Sequence, residues 1–593
     1  MSQDKDGTEP SQLRVLVAMD EAEEVLASPN PAPHLEDDTQ GSSQNWDAEP
    51  EDGVAPRQNV GGYRINVLDA HCALLALTDL GNAQRFVKRY GLDFLFVEQW
   101  GWLAWDGKRW NNHEAEAILS RAVHATIKAI ADEAFHIRKF HKATSEADVA
   151  ARVLAWRSGE AEFEFIDPVL DLNAKGKIVL KSDRLQGWCV ASQSNAHITC
   201  IARLAQAYLT ASPDGFDQDL MAMNVANGTL HFSKAIEDGY VAFKAHDRAL
   251  RMTKITPVVY DPKALCPVYD KFLGVVQPDI GMRRHLHAWG GVSLTGLPLA
   301  KLSFWYGKGR NGKSTLIDVW AHVNGEYSQS IRIESFLEQG RASRGSEASP
   351  DIASLPGVRL LRTSEPEKNA QIAEALVKQV TGGEPLRARH LNKDFFEFRP
   401  AFKLTMQGNY RPKVVGTDEG FWRRMLLVPW GVTIGEADVD ESLPDKLKAE
   451  SSGILNQLLD GLRDYLDHGL SPTDAVLEAT ADYRDDSDPI GQFIKECTSQ
   501  GLDDPVPGAM DVASGKEIAH RTGAKAIFET YVAWARANGE RPWSPKAFSR
   551  GLQDHGIKRL KSSGVFYLGI YMVKAAADFQ GQEIEVEYDK KKG

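Results

Sequence analysis

The residues best suited to chemistry run from Gly307 to Thr315. An apolar stretch, Leu302 to Tyr306, leads into Gly307, Lys308, Gly309, Arg310, Asn311, Gly312, Lys313, Ser314 and Thr315, and an apolar helical pattern follows. This is G-x-x-x-x-G-K-[ST] in the strand–loop–helix setting that the pattern requires. Glycines let backbone N–H groups turn inward on phosphates, and the helix N-terminus adds the positive end of its dipole. In such a loop the lysine, here Lys313, reaches the β- and γ-phosphates, and the hydroxyl, here Ser314, binds Mg²⁺. The expectation is a nucleotide site for ATP and Mg²⁺.

Hydrolysis also needs an acidic group at the end of a neighbouring strand. The stretch VRLLRTS, 358–364, follows a Pro-Gly turn and ends at Glu365-Pro366-Glu367, whose carboxylates suit metal holding and orientation of an attacking water. A third strand, AFKLTMQGNYRP, delivers Asn409 to the same sheet edge, where its amide can sense a terminal phosphate or position water. Arg423 and Arg424 stand just before the apolar run MLLVPW, a place suited to a finger inserted into a neighbour's nucleotide. Between the glutamates and Asn409, EPLRARHLNKDFFEFRP predicts a basic hairpin with Arg387, Arg389, His390 and Lys393 at or near its tip. Alone, such a hairpin is a solvated face; between these motifs it can project into a channel and grip DNA phosphates.

These residues need a scaffold. Over 300–430 strands alternate with helices, which implies a parallel α/β sheet. Ahead of it, DLGNAQRFVKRYG at 79–91 reads as a capped helix, and FLFVEQWGWLAWDGKRW as a hairpin turning at Asp106-Gly107. Residues 114–157 and 265–296 have helical spacing, and so do 440–484. The last block, 487–573, runs helix, helix, helix, hairpin, the outline of a winged helix. The divisions expected are an acidic disordered arm over 1–60, an N-terminal α+β and helical domain over 61–262, and the ATPase over 263–435. A helical connector over 436–486, the winged-helix-like domain over 487–573 and a tail over 574–593 complete the chain. Within the arm, residues 11–27 have the pattern of a short amphipathic helix.

A chain of 593 residues exceeds the roughly 250–300 at which one hydrophobic core stops growing, so several domains are required. Five cysteines, at 72, 189, 200, 266 and 497, form no C-x-x-C pair, which excludes a zinc ribbon and suits a reducing compartment. No run of about 18 apolar residues and no signal-like N-terminus occurs, so no membrane partner is expected. Of the net charge of −13, residues 1–60 carry −11, so the remainder is nearly neutral and the acidic total does not argue against nucleic acid.

The order of these motifs is specific. GKGRNGKST, SEPE, KQVTGGEPLRAR, QGN and WRR resemble the motifs of superfamily III helicases, an AAA+-like ATPase class. More narrowly they resemble the phage and plasmid primase-helicase family, related to the poxvirus primase-helicase. GNAQRFVKRYG, GWLAWDGKRW, FDQDLMAMNVANGTLHF and HLHAWGGVSLTGL are similar to that family's pre-helicase region, and DPIGQFIKEC to its downstream part, so the resemblance covers roughly 79–573. It implies Lys313 and Ser314 for nucleotide and Mg²⁺, Glu365 and Glu367 as acidic pair (Glu365 with the metal), Asn409 as sensor, and Arg424 or Arg423 as finger. Pro366 departs from the adjacent carboxylates frequent in that class; Glu365, first after the apolar strand, is favoured as catalytic. The implied protein is an ATP-dependent, ring-forming DNA helicase, a homo-hexamer acting on single-stranded and forked DNA. It would serve phage, plasmid or mobile-element replication in the cytoplasm of a bacterial host, with a separate primase. The rival is a non-motor, ATP-switched initiator or origin-binding scaffold; a DNA-packaging ATPase fits the motif order less well. A primase centre needs clustered carboxylates, and Asp217-Gln-Asp219 is the D-x-D candidate between the arm and the glycine-rich loop. The tryptophans at 100, 102, 105 and 110 read as hairpin core rather than base-stacking platforms.

Overall fold

The computed structural model describes residues 58–60, 63–65, 67–143, 158, 170–172, 178–234, 240–338, 350–363, 365–368, 370–389, 395–414, 418–500, 505–510, 517–519, 521–540 and 542–579. The expected arm, its amphipathic stretch, the 144–157 end of the long helical pattern, the hairpin tip with His390 and Lys393, and most of the tail lie outside them. Two compact units form: one from residues up to Leu92 with Glu116–Leu209, the other from Asp93–Ala115 with Thr210 onward.

The first unit is helical: α1 (Val67–Ala73), α2 (Asp79–Tyr90), α3 (Ala115–Ala143), α4 (Lys181–Ala191) and α5 (Asn195–Leu209). The expected cap on α2 is present, because Thr78 accepts a hydrogen bond from the Gly81 N–H at 3.1 Å. Its interior holds ion pairs rather than only apolar groups. Arg85 donates to Glu133 at 2.9 Å with both side chains fully buried, and Arg89 bridges Asp69 and Glu133. Removing one partner from such a pair leaves an uncompensated buried charge, which typically costs about 3–5 kcal/mol.

The second unit opens with the expected hairpin, β1 (Phe94–Val97), β2 (Gly101–Trp105) and β3 (Trp110–Asn111), turning at Gly107 with φ +89°. Trp102 and Trp110 are buried, Trp100 packs edge-on against Phe216, and the Trp110 indole N–H donates to Arg248 O, so these rings are core. An antiparallel sheet, β4 (Ala222–Val225), β5 (Gly228–Phe232) and β6 (Val241–Lys244), and helices α6 (Pro267–Val276) and α7 (Ile280–Val292) follow.

The centre is the parallel sheet that the alternating pattern predicts. Its strands are β7 (Leu302–Tyr306), β8 (Ser328–Ile331), β9 (Leu360–Thr363), β12 (Lys403–Gly408) and β13 (Met425–Pro429), in the order β8-β9-β12-β7-β13. Between β9 and β12 come helix α9 (Glu374–Thr381) and the antiparallel pair β10 (Leu386–Ala388) and β11 (Phe396–Phe398). The middle strands are buried on both faces, and the polar Lys403 and Thr405 of β12 are satisfied by Thr295 O and the Trp289 indole N–H. Trp305 packs on one side with Trp289, Trp320 and Leu458, while Leu302 and Phe304 pack on the other with Val377 and Phe421. Helix α8 (Lys313–Asn324) follows β7 directly.

The expected helical stretch becomes α10 (Leu443–Ala449), α11 (Ser451–His468) and α12 (Asp474–Asp486). Helices α7 and α11 meet at backbone distance: a Cβ on Gly461 would lie 2.0 Å from His287 O. The last block contains α13 (Pro489–Cys497), β14 (Arg521–Gly523), α14 (Ala524–Ala537), α15 (Pro545–Asp554), β15 (Arg559–Lys561) and β16 (Val565–Leu568), the strands pairing in the order β14-β16-β15. Helix, helix, helix, hairpin is the order present, with short strands intervening between the first two helices. Among the described residues no helix is long and apolar enough to cross a membrane.

Candidate functional site

The glycine-rich loop joins β7 to α8, and two local features set its shape. Gly312 has φ +81°, and a Cβ there would lie 2.7 Å from Val276 and 3.0 Å from Phe272, so this position demands glycine on two counts. Asn311 is buried and its amide donates to Lys308 O and Trp430 O, tying the loop to the chain after β13. Gly312 is also the N-cap of α8 and brings no side chain to its free N–H groups.

Around this loop lies a cavity of about 370 Å³, lined by Gly309 to Thr315, Glu365, Gln407, Gly408 and Asn409. Lys313 is only 6% exposed. Its ammonium donates to Gly307 O at 2.7 Å, Asn311 Oδ1 at 3.1 Å and Asn409 Oδ1 at 3.3 Å. Burial pushes its pKa below the ordinary lysine value, and the Glu365 carboxylate acts in the opposite direction. Glu365 in turn accepts the Asn409 backbone N–H at 2.6 Å. The exposed Ser314 hydroxyl donates to Gln407 Oε1 at 3.3 Å. A cation, a hydroxyl, a carboxylate and uncapped helix N–H groups therefore face one space. That donor set fits a nucleotide phosphate with a divalent metal, which Ser314 and Glu365 would hold together with the phosphate.

Of the acidic pair, the structure brings Glu365 to the cavity. Glu367 does not line it, and both carboxylates are exposed. Pro366 between them is buried against the sheet edge, 3.0 Å from where a Cβ on Gly408 would stand. The metal-centre reading of Asp217-Gln-Asp219 is answered by local bonds. Asp217 accepts from Thr253 N and Oγ1, and Asp219 accepts from Met221 N. Among the described residues no group of three or more His, Cys, Asp or Glu is placed to hold a metal.

Arg423 and Arg424 do not meet this cavity. The Leu302 N–H donates to Arg424 O at 2.7 Å, which fixes the arginines at the start of β7, whereas the loop leaves from its end. At about 3.3 Å per residue the two edges are roughly 15 Å apart. Arg424 is half-buried and donates to Gly420 O, while Arg423 is exposed and donates to Glu419 O. Lys301 donates to Arg423 O at 2.7 Å, and burial with the nearby Arg424 charge holds its pKa below the usual lysine value. In the basic hairpin Arg387 lies within β10, not at the tip, and the guanidiniums of Arg387 and Arg389 lie 4.5 and 4.7 Å from the Phe395 ring centroid.

Gln407 and Trp430 are the neighbours of this site that sequence reasoning missed. Gln407 carried a usable signal, a polar residue near the end of the strand and two positions before Asn409. Trp430 acts through its carbonyl, which no side-chain pattern reveals.

Residues 83–278 match the family described as D5 N terminal like. A candidate helicase of Acanthamoeba polyphaga mimivirus is 30% identical over 242 residues, 38% of this chain and 25% of the relative. One from Frog virus 3 (isolate Goorha) is 29% identical over 244 residues, again 38% and 25%. One from Sputnik virophage is 27% identical over 193 residues, 30% and 25%. The chain thus aligns with only about a quarter of each of these relatives. The apo structure of the NrS-1 C-terminal region is similar at 12% identity and a TM-score of 0.34, over 59% of this chain and 96% of that one; the score is too low to carry a fold argument. Over residues 83–278 this chain is therefore similar to the D5 N-terminal-like family, and over 38% of its length to viral candidate helicases.

Proposed function

We propose that this chain is an ATP-hydrolysing DNA helicase of phage, plasmid or mobile-element replication, working as a ring of identical copies on single-stranded and forked DNA. The observation that carries the reading is the meeting of Lys313, Ser314, Glu365 and Asn409 in one cavity at the edge of a parallel sheet. Bound ATP·Mg²⁺ supplies the phosphoanhydride whose cleavage drives movement. Lys313 neutralises phosphate charge, Ser314 holds the metal, and Glu365 orients the attacking water and draws off its proton. Asn409, bonded to both Lys313 and Glu365, keeps cation and carboxylate in register. The loop's own Arg310 lines the cavity and pairs with Glu436, whereas Arg423 and Arg424 sit at the far sheet edge, so the finger acts on the nucleotide of a neighbouring copy. The basic hairpin, with Arg387, Arg389, His390 and Lys393, grips strand phosphates, and priming falls to a separate protein.

Strand displacement on a forked duplex, run with ATP and with particle images counting subunits, tests this. The wild-type chain should unwind, and Lys313→Ala should abolish hydrolysis and unwinding while keeping its fold. Near-normal turnover in folded Lys313→Ala removes the enzyme reading; hydrolysis without unwinding in the wild type turns it into the ATP-switched scaffold.

A further inference from the structure

Strand β12 and the residue after it bring two polar side chains to the nucleotide cavity, and the chemistry above uses only one of them. Asn409 takes the Lys313 ammonium at 3.3 Å. Gln407 takes the neighbouring Ser314 hydroxyl, its Oε1 accepting at 3.3 Å. Consecutive loop residues are thus met by alternate residues at the strand's end. Gln407 lines the same cavity, in which Glu365 is the sole acidic side chain among the described residues.

The sheet explains where Gln407 stands. Side chains alternate between faces along β12, so Thr405 and Gln407 share one face. Thr405 accepts the Trp289 indole N–H at 2.9 Å. Trp305, level with Gln407 on β7, packs edge-on against Trp320 of α8. This is therefore the face that α8 covers, and half-buried Gln407 meets the second residue of that helix.

A hydroxyl has one proton and two pairs of acceptor electrons. A serine in a helix can give its proton to a carbonyl one turn back. Given to Gln407 instead, the proton points at the sheet, and both lone pairs are left for a cation in the cavity. A carboxylate at 407 would accept the proton too, but it would set a second negative charge beside Glu365 and against the incoming phosphates. The amide oxygen accepts without adding charge.

We propose that Gln407 is a positioning residue of the nucleotide site, holding the Ser314 proton away from the cavity so that the hydroxyl oxygen faces a divalent cation arriving with the nucleotide. The proposal rests on the reading above in taking Ser314 as a holder of that metal. Turned about, the amide would donate to the hydroxyl and use up a lone pair, the opposite effect. A carboxylate can only accept, so Gln407→Glu separates the two orientations.

The test is titration of the full chain with a fluorescent methylanthraniloyl derivative of ATP, once with Mg²⁺ and once with EDTA. The readout is the ratio of the two affinities. Gln407→Met keeps the length and loses the amide, and the ratio should fall roughly tenfold or more, as when a group supporting a metal ligand is removed. Gln407→Glu should keep the ratio at the wild-type value or above it. Ser314→Ala should lower it at least as far as Gln407→Met, and combining the two should lower it no further, since they act as one unit. A residue that only props the loop would weaken binding alike in both media. An undiminished ratio in Gln407→Met, additive losses in the double variant, or a collapsed ratio in Gln407→Glu overturns the proposal. A wild-type ratio near one would strike the metal reading of Ser314 itself, and this role of Gln407 with it.

Discussion

Glu365 and Glu367 are two residues apart and chemically alike, yet their surroundings differ. Glu365 holds the Asn409 N–H and acts on Lys313, whereas Glu367 lies outside the cavity; both are exposed. If Glu365 is the proposed base, Glu365→Gln keeps the shape and removes it, so ATP turnover should fall on the order of 10²-fold or more. Glu367→Gln should stay within about twofold, with phosphate release as the readout; the reverse ranking would assign the base to Glu367. The loop, Glu365 and Asn409 were legible because each need is met within a few residues: glycines for the turn, a carboxylate or amide where a strand stops. What surrounds them was not. Phe272 and Val276 under Gly312, and Trp430 O behind Asn311, come from segments joined only by the folded chain. The choice between Glu365 and Glu367 also turned on how Pro366 seats against Gly408, a packing fact without a sequence signature.

At the scale of elements, periodicity told most where one face is covered and least where chains pair over a distance. The parallel sheet, α2 with its Thr78 cap and the tryptophan hairpin stand where apolar spacing puts them. The strands between α13 and α14 were not foreseen, since short segments such as Arg521–Gly523 gain their order from β16. One further tie there has a measurable consequence. Asp488 caps α13 by accepting the Gly491 N–H at 2.9 Å, and it bonds His555 Nε2 at the end of α15 at 2.6 Å. The bond to Asp488 raises the His555 pKa above its ordinary value; the Asp488 pKa lies below its own, against a burial effect that by itself would raise it. The histidine's contribution is thus complete below about pH 6.5 and disappears as pH climbs through its raised folded value. The aspartate's is complete above about pH 3.9 and disappears as pH falls through its lowered one. Unfolding of this block should therefore be harder by about 1 kcal/mol at pH 6 than at pH 8.5, and His555→Gln should flatten that difference. Denaturant melts of both proteins at the two pH values measure it; an identical slope in both would remove the pair from the balance.

For the whole molecule, the decisive geometry is that loop and arginines occupy opposite ends of the same strands. With a finger acting between copies, turnover per chain should rise with protein concentration, and Arg424→Ala should lose on the order of 10³-fold. Mixing Arg424→Ala with Lys313→Ala should recover part of the activity, since mixed assemblies contain some intact composite sites. Phosphate release at fixed total protein checks this, with co-assembly verified by pull-down. No recovery in co-assembled mixtures argues for sites complete within one chain, and Arg423→Ala is the parallel comparison.

That end-to-end separation gives each copy a head and a tail. With the proposed finger reaching a neighbour's loop, two such faces cannot both be met by one partner across a two-fold axis, so the proposed contact would be heterologous. Copies joined this way either close into a ring or run on as a helical filament, and the rotation per step decides which. Any open string keeps one loop at its end without a visiting arginine. Closure abolishes that idle terminus, so joining the last copy completes two sites at once, its own and its neighbour's.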